Sequence, residues 1–251
     1  MVESADRLGF AEVGALAERF ESASAEALLE WALERYGSRL VIASSFGVED
    51  VALIDLARRI DASVRVITLD TGRLHQETYD TIARVRDEMG VRVEVYAPER
   101  AALEELVTRD GPNGFYDSIA QRRACCGVRK LEGLKRALST ADAWATGLRR
   151  DQNVTRAQTA KVELDLMHGG VLKLNPLADW TSERVWAHVR DHELPYNPLH
   201  DRGFPSIGCA PCTRAVAPGE DERSGRWWWE NPTSKECGLH PARHDDNEDR
   251  S

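Results

Sequence analysis

Two pairs of cysteines stand eighty-odd residues apart in this chain, Cys125-Cys126 and Cys209-Ala-Pro-Cys212. They restrict the fold more than any other feature. Four thiols suffice for one tetrahedral metal or iron–sulfur centre, and to share one the two pairs must meet in space. Adjacent side chains point about 100° apart on a helix and to opposite faces of a strand. Cys125 and Cys126 therefore reach one centre where a helix start is distorted, which Gly127 permits. Gly208 and Pro211 suit a tight ligand turn around the second pair. Zinc and an iron–sulfur cluster both accept four thiolates, so spacing leaves the two open. No strand and helix frame the CxxC, which argues against a thioredoxin-type redox motif. A fifth cysteine, Cys237, is left over for chemistry. Lys235 and His240 flank it, and positive neighbours raise the thiolate fraction.

The remaining texture is that of an ordinary globular chain of 251 residues, 42% hydrophobic and 30% charged. No apolar run approaches the roughly 18 residues of a membrane span. The N-terminus lacks the pattern of a signal peptide. An odd number of cysteines without such a signal points to a reducing compartment, and so to the cytoplasm. A net charge of −9 disfavours general nucleic-acid binding. An anion handled here must be held by local arginines and lysines. The acidic stretch from His244 to Asp249 reads as a solvated tail.

Short apolar runs alternate with helical periodicity. Strands are expected at Leu40–Ser45, Val64–Leu69, Val91–Tyr96 and Ala143–Thr146, with helices at 10–36, from Glu49, at 75–89, 99–109 and 127–138. This alternation predicts an α/β fold with a mostly parallel twisted sheet flanked by helices. Ligands then bind beyond the carboxyl ends of the strands, at the loops Ser44–Asp50, Asp70–Leu74 and Gly147–Arg156. After Asn175 prolines interrupt the pattern, and Thr181–His192 is the helix expected there. The expected organisation is a helical extension at 1–22, a nucleotide-binding domain at 23–205 and an irregular segment at 206–251.

Ser44-Ser45-Phe46-Gly47 carries hydroxyls and a glycine into a helix start, a combination that can cradle a phosphate. It lacks a Walker A lysine. Arg149, Arg150 and Arg156 form a basic loop at the expected ligand edge, and Arg223 and Arg226 precede three consecutive tryptophans. Each feature has a bland alternative as a turn, a solvated charge run or a buried small thiol. The placement of the Ser44–Asp50 and Gly147–Arg156 loops at the expected ligand edge favours anion binding there.

Together these stretches resemble the assimilatory sulfonucleotide reductases, relatives of the PP-loop ATP pyrophosphatases. The matching pieces are Ser44-Ser-Phe-Gly-Val-Glu-Asp50, Leu69-Asp-Thr-Gly-Arg73, Cys125-Cys-Gly-Val-Arg-Lys130 and Gly147-Leu-Arg-Arg-Asp-Gln152. They continue through Asn175-Pro-Leu177, Leu194-Pro-Tyr-Asn197, Ser206-Ile-Gly-Cys-Ala-Pro-Cys-Thr-Arg214, Arg226-Trp-Trp-Trp229 and Lys235-Glu-Cys-Gly-Leu-His240. The resemblance implies that Cys237 attacks the sulfur of a sulfonucleotide, and that thioredoxin or a glutaredoxin-like dithiol then frees sulfite. It implies a [4Fe–4S] cluster on Cys125, Cys126, Cys209 and Cys212, and adenosine 5′-phosphosulfate as the substrate. The residues it offers to that substrate are Ser44, Ser45, Phe46, Gly47, Leu69, Thr71, Gly72, Lys130, Gly147, Arg149, Arg156, Arg223, Arg226 and His240. The loop departs from the Ser-Gly-Gly-x-Asp-Ser form of the ATP-cleaving relatives, which argues against ATP hydrolysis. Rival readings are a 3′-phosphoadenosine 5′-phosphosulfate reductase, an ATP-consuming PP-loop enzyme, and a zinc-stapled nucleotide-binding module. A homo-oligomer remains open.

Overall fold

The computed structural model describes residues 8–153 and 156–230. Six strands form one sheet in the order β3-β2-β1-β4-β6-β5. They are β1 (Leu40–Ala43), β2 (Arg65–Leu69), β3 (Val93–Tyr96), β4 (Ala143–Ala145), β5 (Val162–Asp165) and β6 (Val171–Leu174). The first four and β6 run parallel, while β5 pairs antiparallel with β6. Chain order runs outward from β1 to β3 on one side and continues with β4 on the other. The crevice beside β1 is thus the switch point where an open α/β sheet takes its ligand.

Helices α1 (Phe10–Phe20), α2 (Ala25–Tyr36), α3 (Val48–Ile60), α4 (Gln76–Met89), α5 (Arg100–Asp110), α6 (Ile119–Cys126), α7 (Glu132–Leu138) and α8 (Ser182–Asp191) complete the fold. Alternate residues of the central strands point to opposite faces. Leu40, Ile42, Ala143 and Ala145 join α2, α3 and α8 in the larger core. Val41, Trp144 and Ile67 meet Leu134, Ala137 and Leu138 of α7 on the other face. The single helix expected over 10–36 is two, because Ser24 caps α2 by accepting from the Ala27 amide.

Two strands were absent from the expected set. Val162–Asp165 and Val171–Leu174 form a hairpin whose turn puts Gly169 and Gly170 at positive φ. Glu163 and Lys173 stand opposite each other across it and form an ion pair at 2.9 Å. The helix expected at 127–138 also differs. α6 ends at Cys126, a π-helical turn occupies Gly127–Leu131, and α7 starts at Glu132. Among the described residues no helix is long and apolar enough to cross a membrane.

Candidate active site

The loop after β1 is pinned from within. Ser44 N–H donates to the Ile67 carbonyl, and Ser44 Oγ accepts from the Phe46 amide at 3.0 Å. Asp50, in the first turn of α3, accepts from the Ser45 amide at 2.6 Å and from Ser45 Oγ at 2.9 Å. Burial pushes the Asp50 carboxyl up to about 6, against the hydrogen bonds from Ser45 and Gly147. Phe46 sits at φ 59 with its ring in the apolar core. Left-handed backbone is costly for such a residue, and the buried ring holds it there. Gly147, after β4, must be a glycine. A Cβ there would fall 2.6 Å from Asp50 Oδ1 and 3.1 Å from the Asp50 amide.

These loops open onto one cavity of about 190 Å³, at the carboxyl ends of β1, β2 and β4. Ser44, Ser45, Gly47, Leu69, Thr71 and Gly147 line it, with Lys130, Arg156, Arg223 and Arg226 as its basic groups. Ten of the residues offered to a substrate thus share one wall. Three others do not line it. Phe46 is turned into the core, and Gly72 lies beside Arg129. Arg149 is 1% exposed and bound to Glu49 at 3.0 Å and to Asp151. Its charge is committed to carboxylates, so it braces the wall from behind. Cys237 and His240 lie outside the described residues.

Sequence reasoning missed several lining groups, among them His200, Ser206, Gly208, Gln152 and Glu222. Gly208 carried a signal, standing directly before the CxxC. A Cβ there would come within 2.6 Å of Arg226 Cζ, so the glycine makes room for that guanidinium. Arg226 in turn donates to Ser206 Oγ at 3.2 Å and to the Ile207 carbonyl at 3.3 Å.

A second, smaller cavity adjoins the first, sharing Lys130, Arg226 and Trp227 with it. Cys125, Cys126, Cys209 and Cys212 all line this cavity, and all four are free thiols. The two pairs predicted to converge do so. The distortion that permits it is at the end of α6 and in the π-turn that follows, not at a helix start. Widened π-turns recur at functional sites. This one lets Cys125, Cys126, Arg129 and Lys130 face the same space. The CxxC is fixed from three sides. The Ala210 amide donates to the Arg73 carbonyl at 2.8 Å, and the Trp227 amide to the Cys212 carbonyl at 3.0 Å. Tyr116 OH donates to the Pro211 carbonyl at 2.7 Å.

The charge around the sulfurs is positive. Arg73, Arg122, Arg129, Lys130 and Arg226 line the same cavity. Burial raises the Cys209 thiol, but Lys130, the Thr71 hydroxyl at 3.3 Å, Arg226 and Arg129 outweigh it and leave the thiol lowered. Cys212 is pushed up to about 12 by burial and by the charge of Cys209. Four convergent thiols in a basic, aromatic-walled cavity fit a thiolate-bound cluster, since the cations offset the negative charge that ligation brings together. Arg122 and Glu230 form a bidentate ion pair at 2.8 and 2.7 Å, with side chains 1% and 3% exposed. That pair joins α6 to the chain just after the three tryptophans, and the Arg122 guanidinium also lies 4.9 Å from the Trp227 ring centroid.

Comparison with known proteins agrees with this geometry. The chain matches the phosphoadenosine phosphosulfate reductase domain over residues 39–215. It is 56% identical over 201 residues to the adenosine 5′-phosphosulfate reductase of Allochromatium vinosum, covering 80% of this chain and 78% of that one. Against the enzyme of the same name from Burkholderia cepacia it is 46% identical, covering 91% and 89%. Among solved structures, phosphoadenylyl-sulfate reductase from Candida auris superimposes with a TM-score of 0.73 at 24% identity, over 85% of this chain and 100% of that one. The FMN adenylyltransferase of Candida glabrata shares the fold at a TM-score of 0.55 and 12% identity, over 85% and 70%. A paired-cysteine pocket beside a basic cavity at the switch point of this sheet thus sits in a chain that belongs to the phosphoadenosine phosphosulfate reductase domain family.

Proposed function

We propose that this chain reduces adenosine 5′-phosphosulfate to sulfite and AMP, with a thioredoxin-like dithiol as electron donor. One observation carries the reading. Lys130, Arg156, Arg223 and Arg226 line a single cavity that shares Lys130 and Arg226 with the four-cysteine cavity. A thiolate attacking a sulfate sulfur approaches a polyanion, so the reaction needs cations at the sulfate and at the departing phosphate oxygen. The names and high identity of the two bacterial relatives support the choice of substrate.

In this mechanism the loop Ser44–Gly47 and the backbone at Leu69 and Gly147 hold the nucleotide. Lys130, Arg223 and Arg226 offset the charge of the sulfate, and Arg156 that of the phosphate. The Cys237 thiolate forms a bond to the sulfate sulfur as the sulfur–oxygen bond to phosphate breaks, and AMP leaves. A thiolate of the donor then attacks Cys237 Sγ. Sulfite departs with the bonding electron pair, and the donor's second thiol resolves the mixed disulfide. Two electrons pass from dithiol to sulfur, and the donor ends as a disulfide. Cys125, Cys126, Cys209 and Cys212 would hold a [4Fe–4S] cluster, which supplies structure and local electrostatics when bound.

The test is sulfite release from anaerobically purified protein with both sulfonucleotides. The expected result is a higher kcat/KM for adenosine 5′-phosphosulfate than for its 3′-phosphorylated analogue. Without reductant, the substrate should add one sulfonate, about 80 Da, at Cys237. A preference for the 3′-phosphorylated compound, or mass appearing on another residue, refutes the reading.

A further inference from the structure

The three consecutive tryptophans face different ways. Trp227 is 1% exposed and lines the cysteine cavity, whereas Trp228 is 49% exposed. The backbone makes this split. Trp227 sits at φ 41, left-handed backbone that is an outlier for so bulky a residue. Its amide donates to the Cys212 carbonyl at 3.0 Å, and its carbonyl accepts from the Glu230 amide at 2.8 Å. The strained turn is thus fixed on both sides. Such strain persists where the surroundings over-determine it, and it gathers at functional sites.

Trp228 is not a lone exposed ring. It meets Trp229 edge-on at 5.6 Å between centroids, and Trp229 meets Tyr116 at 4.5 Å. Tyr116 is 40% exposed, as is Ile119 in the first turn of α6. The Tyr116 hydroxyl donates to the Pro211 carbonyl, which locks that ring in place. Two stretches far apart in sequence therefore present apolar surface together. Contiguous exposed apolar surface marks an interaction site, and rigid aromatic side chains carry much of the binding energy at interfaces.

The place of this surface in the chain says what covers it. Glu230 ends the described residues two positions after Trp228, and Cys237 follows seven residues later. Seven residues span at most about 25 Å. In the proposed reaction a donor thiolate forms a bond to Cys237 Sγ as the bond to the sulfonate sulfur breaks. The donor must therefore sit within that reach of Glu230. We propose that Trp228, Trp229, Tyr116 and Ile119 form the docking surface for the protein dithiol that releases sulfite. None of the four lines the nucleotide cavity, so donor and nucleotide do not compete for these side chains. A small dithiol, which reacts without docking, needs no such surface. The inference rests on the reductase reading of the proposed function.

The experiment loads anaerobically purified protein with adenosine 5′-phosphosulfate without reductant and removes the nucleotide. It then follows the sulfite freed by reduced thioredoxin or by dithiothreitol. Trp228→Ser and Ile119→Ser are compared with the parent at equal sulfonate loading, and iron per chain is measured for each. With thioredoxin, the second-order rate constant should fall about tenfold in Trp228→Ser and by a smaller factor in Ile119→Ser. With dithiothreitol it should not change. Trp228→Phe should recover most of the loss. Equal slowing with both reductants means that the surface seats the chain's own Cys237 segment, and overturns the proposal. Unchanged rates with thioredoxin in both serine variants overturn it too, whether the surface is bare or pairs two copies of the chain. Loss of iron from both serine variants makes the surface a structural part of the cysteine pocket and likewise overturns it. A parent that gains no sulfonate refutes the reductase reading and this inference with it, an outcome distinct from the others.

Discussion

The sheet and the cysteine pocket are held together by different physics. Around the sheet, a continuous set of buried aliphatic side chains from α2, α3, α8 and the strands fills the space. Apolar burial is non-directional and roughly additive in area, so the loss of one contact is local. The buried apolar set at the cysteines consists of Phe115, Cys209, Cys212 and Trp227, with Cys125 and Trp229 beside them. The rest of that pocket is guanidinium, ammonium and carboxylate. Buried charges stabilise little when paired and cost heavily when a partner is lost. The comparison teaches that the scaffold tolerates trimming, whereas the cysteine pocket stands or falls as a set.

The sharpest break between the two regions is expected from Cys209→Ser, which on the proposed cluster reading should abolish iron binding and activity together. Iron analysis and sulfite release check it, with the far-ultraviolet circular dichroism of the sheet little changed. Next, Glu230→Ala removes the carboxylate of the buried Arg122 ion pair, at a cost of about 3–5 kcal/mol. Faster iron loss to a chelator should accompany the lower stability. Leu53→Ala empties part of the wholly buried α3 face at a cost of about 3 kcal/mol. In urea melts it should destabilise without altering iron per chain, which separates scaffold from pocket.

A smaller effect is expected at Asp55. Burial opposes its charge, but His188, Arg59 and Arg58 outweigh that and lower the carboxyl from 3.8 to about 2. A depressed carboxylate stabilises the fold above its ordinary value, and that contribution fades as pH falls from about 4 toward 2. Asp55→Asn should thus cost about 2 kcal/mol near neutrality and flatten the stability profile between those values. An unchanged acid limb would show that the ion pairs of α3 and α8 contribute nothing. The smallest effect is expected at the exposed Arg84–Glu88 pair. Arg84→Ala should move the urea midpoint by less than about 0.5 kcal/mol equivalent.

The same contrast explains what was legible in the sequence. Strands β1, β2 and β4 are apolar runs ending in loops rich in Ser, Thr and Gly, so both the sheet and its ligand edge could be read locally. The hairpin of β5 and β6 could not, although Gly169-Gly170 marks its turn. Glu163 and Lys173 each break an apolar pattern, and each makes sense only opposite the other. Cysteine pairing was legible because few chemistries use two such pairs. The ion pair between Arg122 and Glu230 spans 108 residues, and nothing local marks either as buried. Arg149 shows the reverse error. A basic loop at a ligand edge suggested phosphate contact, but the nearby Glu49 claims its charge.

The π-turn at Gly127–Leu131 has a consequence for insertions and deletions. Such a turn holds one residue more than regular α-helix needs over the same rise. Deleting one residue between Gly127 and Leu131 would leave α6 and α7 free to merge into a single smooth helix. That helix should form at least as readily as the native one. On it α7 would keep its seat against the sheet, because the extra residue is what the turn absorbs, but the widening that lets Cys125, Cys126, Arg129 and Lys130 face one space would be lost. Lys130 would then swing away from the wall it shares with the sulfurs. On the proposed cluster reading, a one-codon loss here would yield a well-folded protein without iron, a change that a stability screen would pass and an iron assay would catch.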